Sequence, residues 1–215
     1  MAIRNLVRVG AWAMLVGGFV LIAHTLIHPD DTVAGGLTSP LFPASHILGA
    51  VAYLLLVVGL VGVYILQGDA NGKLGLVAFL VALTGTVLTT GLVLDEAFFL
   101  TDLAIRVPEV KTLSDSFQQF TGALAAYPLV LLTGLLLYAL GYILVGITIW
   151  RANVLPRWIG IALVVGVVLS FGSFVGSYLA HQVGGVLFGI GIAWLGYAML
   201  ISKRAAMMLA LAQAT

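Results

Sequence analysis

Long apolar runs, broken by short polar stretches, make up most of the chain. Six such runs stand out, at about 6–27, 44–66, 74–94, 123–150, 158–179 and 183–202, with charged residues confined to their edges. Each is close to the roughly 20 apolar residues that a helix needs to cross the hydrocarbon core of a bilayer. The pattern therefore predicts an all-α fold: a polytopic membrane protein, residues 1–215 forming one six-transmembrane-helix bundle. The first run, with Arg4 and Arg8 at its start, could pass for a secretory leader. It is longer than a typical leader core and has no small-x-small cleavage site, so it reads as a retained signal-anchor helix.

The breaks between runs differ in kind. Residues 29–43 are rich in Gly, Pro and Ser and predict a turn-forming connection. The stretch from 95 to 122 is the longest. Its irregular apolar positions (Phe98, Phe99, Leu103, Ile105, Val107, then Val110, Leu113, Phe117, Phe120), divided by Pro108, predict two short interfacial helices across the mouth of the bundle. Small residues four apart, Gly172 with Gly176, Ser173 with Ser177 and Gly185 with Gly189, predict close helix packing. Those faces could serve within the bundle, or toward a second copy of the chain or a larger membrane complex.

Composition agrees with the pattern. Hydrophobic residues make up 62% of the chain and charged residues 8%, against about 45–50% and about 25% in soluble domains. Mean hydropathy is +1.18. There is no cysteine, which excludes disulfides, thiolate metal sites, iron–sulfur clusters and c-type haem attachment. No basic patch of the kind that binds nucleic acid is present.

Charge then orients the bundle. Arg4, Arg8, Lys73, Arg151, Arg157, Lys203 and Arg204 fall on one side of the alternating connections, and Arg106 and Lys111 on the other. The positive-inside rule makes both termini cytoplasmic in a cell inner (plasma) membrane, with Trp12, Trp150 and Trp158 near the cytoplasmic ends.

With that orientation, all four histidines come to the outer level. His24 and His28 close the first span, His46 opens the second and His181 joins the last two, while Asp95 and Glu96 end the third at similar depth. Histidines four apart lie on one helix face, and neutral imidazole is the commonest protein metal ligand. The expected site is a divalent metal ion (zinc, copper or iron) on His24, His28, His46 and His181, with Asp95 or Glu96 as the acid. Asp30 and Asp31 follow Pro29 and are expected to point into water. The chemistry would be that of a membrane enzyme or redox subunit. A second reading makes His46 and His181 the axial ligands of one b-type haem. A third is an accessory subunit of a larger membrane complex with no cofactor, its histidines satisfied by interfacial water. Transport through the bilayer is disfavoured, because the span centres carry no ionisable residue.

Overall fold

The computed structural model of the chain describes residues 2–119, 121, 122, 126–172 and 177–202. Phe120, the expected start of the fourth span at 123–125, Ser173 and Gly176 of the small-residue pairs, and the tail from Lys203 with Arg204 lie outside the described residues.

The described elements are helical, with no strand among them. Helix α1 spans Ala2–Ile27 and α2 spans Leu41–Gln67, followed by a single 3-10 turn at Gly68–Asn71. Helix α3, Gly72–Asp95, runs through a π-helical turn at Glu96–Leu100 into α4, Thr101–Arg106. The short α5 covers Leu113–Phe117, followed by α6, Tyr127–Ala152, α7, Arg157–Ser170, and α8, Tyr178–Leu200. Among the described residues, five stretches are long and apolar enough to cross a membrane, as in a multi-pass membrane protein: Asn5–Ile27, Leu41–Gln67, Gly72–Arg106, Tyr127–Ala152 and Tyr178–Leu200. The fifth expected span differs. Its helix, α7, has 14 residues, about 21 Å at 1.5 Å per residue and short of a core about 30 Å thick.

The six long elements pack in chain order: α1 on α2, α2 on α3, α3 on α6, α6 on α7, α7 on α8, and α8 back on α1. The result is a closed ring. Glycines set how closely its members approach. A Cβ at Gly10 of α1 would lie 2.8 Å from Gly62 Cα of α2, and one at Gly146 of α6 would lie 2.7 Å from the Gly160 oxygen of α7. Gly185 and Gly189 face Thr25, Gly18 and Ile22 of α1, and Gly172 faces Ala180 and His181, so these small-residue faces are filled within the chain. Without competing water, backbone proximity and van der Waals contact are what hold such helices together.

Side chains fill the middle of the ring. Tyr53 of α2, Tyr138 and Tyr142 of α6 and Phe188 of α8 meet there, all buried. At one end, Leu37, Phe42, Leu100, Ala104 and Val110 form a separate small apolar cluster. It consists of the 28–40 connection and α4 folded over the ends of α1 and α2. Helix α5 is tied to that connection by Leu113 N–H donating to the Asp31 carbonyl, and it begins with a reciprocal Thr112–Asp115 cap.

Candidate functional site

The histidines lie under this apolar cover. His24 is in the last turn of α1, and His28 lies just past its end, its N–H still bonded to the His24 carbonyl at 3.0 Å. His46 is in the second turn of α2, and His181 in the first turn of α8. Closure of the ring between α8 and α1 brings the last of them to the others. Ring centroids are 5.5 Å apart for His24–His28, 6.0 Å for His24–His46, 4.8 Å for His28–His46 and 5.5 Å for His28–His181. His24, His28 and His46 are buried, and His181 is half-buried.

All four rings are held in the same way. Nδ1 of His24 lies 2.7 Å from the Ser45 carbonyl, that of His28 2.7 Å from the Pro29 carbonyl, that of His46 2.7 Å from the Phe42 carbonyl, and that of His181 2.6 Å from the Ser170 carbonyl. A carbonyl can only accept, so each Nδ1 carries the proton and donates it. On His24, His28 and His181 Nε2 is then the free, lone-pair nitrogen, whereas on His46 it is paired with the Glu96 carboxylate.

The supports come from neighbouring elements. Gly49 lets the His24 ring lie against the backbone of α2, where a Cβ would stand 3.1 Å from it. Phe42 lies tilted against His46 at 4.2 Å and reaches His28 at 5.8 Å. Tyr178 and Gln182 of α8 both donate to the His28 carbonyl, pinning the end of α1 to α8.

The acids divide in a way the sequence does not announce. Glu96, the first residue of the π-helical turn, sits with Oε2 3.2 Å from His46 Nε2. Asp95 accepts from the Tyr127 hydroxyl instead, so α6 holds it and the structure does not bring it to the imidazoles. Asp30 is half-buried and accepts from Thr32 N–H at 2.9 Å. Asp31, expected in water, is buried at 9% exposure. The connection folds back there: a Cβ at Gly36 would press on the Asp31 Cα at 3.0 Å, and glycine permits the closure. Burial pushes the Asp31 carboxyl up to about 6, the Glu96 charge adding to the effect and His46 opposing it. For His28, burial and then the charges of His46, His24 and His181 hold the imidazole well below its ordinary value, so it stands neutral.

Sequence reasoning missed Asp31, Tyr178 and Gln182, which no spacing marks. It also missed Tyr53, whose position seven residues past His46, on the same face of α2, was a usable signal. Among the described residues, no group of three or more His, Asp or Glu side chains forms a ready-made cage for a metal ion. No protein-family model, curated protein or solved structure matches the chain.

Proposed function

We propose that the protein binds one divalent transition-metal ion at the outer end of its helix ring, through Nε2 of His24, His28, His46 and His181 with Glu96 as the carboxylate. The observation that carries this reading is the shared anchoring of all four rings by Nδ1 to a main-chain carbonyl. Metal-ligating histidines characteristically donate their second nitrogen in this way, which fixes the tautomer and aims the free nitrogen. Histidines that merely face interfacial water have no reason to adopt one common arrangement.

Spacing adds support. With metal–nitrogen bonds of about 2.0–2.1 Å, tetrahedral imidazoles hold their ring centroids about 5 Å apart, and three of the rings here lie 4.8–6.0 Å apart in pairs. Binding then needs the rings to swing about their anchors rather than the helices to move. The π-helical turn at Glu96 points the same way, because such turns recur at functional sites. A nitrogen-rich set with one carboxylate suits zinc, copper or iron. Bound there, the ion would activate a water for hydrolysis or exchange an electron. Asp31, buried within electrostatic reach of Glu96 and His46, is the spare carboxyl for a proton. The haem reading is less supported, because the His28 ring, 4.8 Å from His46 and 5.5 Å from His181, lies beside both of its axial ligands.

In this reading the membrane is the cell inner membrane, crossed by the five long spans with the shorter α7, packed between α6 and α8, as the sixth, and both termini are cytoplasmic. Arg8, Lys73, Arg151 and Arg157 belong to the end opposite the histidines, where Trp150 and Trp158 meet edge to face. Since the chain has no cysteine, single cysteines at Thr38 and Lys73 test this orientation. An impermeant maleimide added to whole cells should label only the first.

The deciding experiment is elemental analysis and a visible spectrum of the detergent-purified protein. The expected result is one metal ion per chain, lost in His24→Ala/His28→Ala with the fold retained. A folded, colourless, metal-free wild type would overturn the proposal and leave the accessory-subunit reading.

A further inference from the structure

The seam that closes the ring is open on its outer side. Gly18 meets Ala193, and Gly196 meets Leu15 and Ala11, main chain against main chain, so α1 and α8 touch along their length. The large side chains flanking that line, Phe19, Ile190, Trp194 and Tyr197, are exposed and stand away from the ring. With Leu15 and Ile22 they border an apolar trough of about 360 Å³.

The same face of α1 carries a cation. Arg8, Trp12, Leu15, Phe19 and Ile22 recur at steps of three and four, which at about 100° per residue keeps them within a stripe about 80° wide. Arg8 and Trp12 are exposed. Arg8 has no carboxylate partner among the described residues, where the ion pairs are His46–Glu96 and Arg106–Asp102, both at the other end of the ring.

Depth decides what fits. Ile22 lies 14 residues past Arg8 on one helix, about 21 Å by helix rise. One leaflet with its headgroups is about 20–22 Å thick, half of a bilayer of about 40–45 Å. A trough with a cation at the membrane surface and apolar walls reaching the midplane therefore has the length and polarity of a single phospholipid. A second apolar helix would fill the walls and leave Arg8 without a counter-ion. A zwitterionic lipid would bring a cation of its own to the same level, so the unpaired guanidinium favours a headgroup with net negative charge.

We propose that the α1–α8 trough binds one anionic phospholipid, phosphatidylglycerol, with its phosphate at Arg8, its ester level beside Trp12 and an acyl chain lying from Leu15 to Ile22. The cytoplasmic leaflet follows from the orientation proposed above. The binding itself depends neither on that orientation nor on the histidine site. Such a lipid lies across the contact that joins the two ends of the chain, so its occupancy also stabilises the closed ring.

The test is native mass spectrometry of the full-length, detergent-purified protein, titrated separately with dioleoyl phosphatidylglycerol and dioleoyl phosphatidylcholine. Wild type should take up one phosphatidylglycerol first and hold phosphatidylcholine about fivefold more weakly, the factor expected for one cation at the membrane surface. Arg8→Gln should bind the two lipids alike, and Arg8→Lys should keep the preference. Ile190→Trp, which fills the trough, should weaken both lipids, whereas Val87→Trp on α3 should leave both as in wild type. These positions are exposed, and melting of each variant without added lipid checks that the fold is kept. Equal affinity of wild type for the two lipids would overturn the proposal, as would a preference retained in Arg8→Gln or unchanged binding in Ile190→Trp. A lipid-free dimer would overturn it too, assigning the trough to a second copy of the chain.

Discussion

Alanine in place of Gly18 puts one methyl group between α1 and α8, the pair that closes the ring. That Cβ would lie 2.6 Å from the Gly189 oxygen and 2.8 Å from Ala193 Cα, and it would also press on Ala193 N. Ordinary contact begins at 3.4 Å, so against the Gly189 oxygen the shortfall is about 0.8 Å. All three obstacles are main-chain atoms that cannot rotate aside, and the helices must part by roughly that distance. Overpacking of this kind costs about 1–3 kcal/mol. The same displacement moves His28 away from His181 and stretches the Tyr178 and Gln182 bonds to the His28 carbonyl. Gly91, on α3, is the control. No atom lies within 4 Å of its added Cβ, so alanine there gains helix propensity of about 1 kcal/mol. Thermal unfolding in one detergent should rank Gly91→Ala at or above wild type and Gly18→Ala below it. The reverse order would show that glycine does not set the α1–α8 distance, and equal melting of all three would show that the added methyl meets no obstacle.

Two further changes probe buried polarity. The Thr89 hydroxyl is buried at 2% exposure and has no hydrogen-bond partner among the described residues, so Thr89→Val should stabilise the protein by about 1 kcal/mol in thermal unfolding, relieving the cost of an unmade bond. The Asp31 carboxyl is raised from 3.8 to about 6, so between those values the folded protein keeps a proton that the unfolded chain releases. Stability then falls as pH rises through that window, on the order of 2–3 kcal/mol in all. Melting of metal-free Asp31→Asn from pH 4 to 7 should lack that part of the slope.

Much of the architecture could be read from the sequence because a bilayer imposes one length on every crossing. The apolar runs at about 44–66, 74–94 and 183–202 required little else, and the helices there are Leu41–Gln67, Gly72–Asp95 and Tyr178–Leu200. What could not be read depends on helix ends. Asp95 and Glu96 look like an exit from the membrane, yet a π-helical turn carries the helix on to Arg106, and the two adjacent acids, about 100° apart around a helix, meet different neighbours. Helix α7 stops at Ser170 with no proline or charge to mark the place. The histidines were visible as a level, since topology alone sorts them to one end. Their common anchoring was not, because each accepting carbonyl belongs to a main chain whose path depends on tertiary packing. The burial of Asp31 escaped for a related reason, being a property of how the 28–40 connection folds back rather than of the residue itself.

The ring has one consequence for the making of the protein. Its helices follow one another around the circle, so each new segment finds its neighbour already in place as synthesis proceeds from the N-terminus. The α8–α1 contact is the main one that joins the two ends of the chain among the described residues. His24, His28, His46 and Glu96 therefore exist long before His181 emerges, and Tyr178 and Gln182 arrive with it. The four-histidine cluster is complete only in a full-length, fully inserted molecule, so a chain stalled before α8 lacks the fourth imidazole, however well its first five segments are folded.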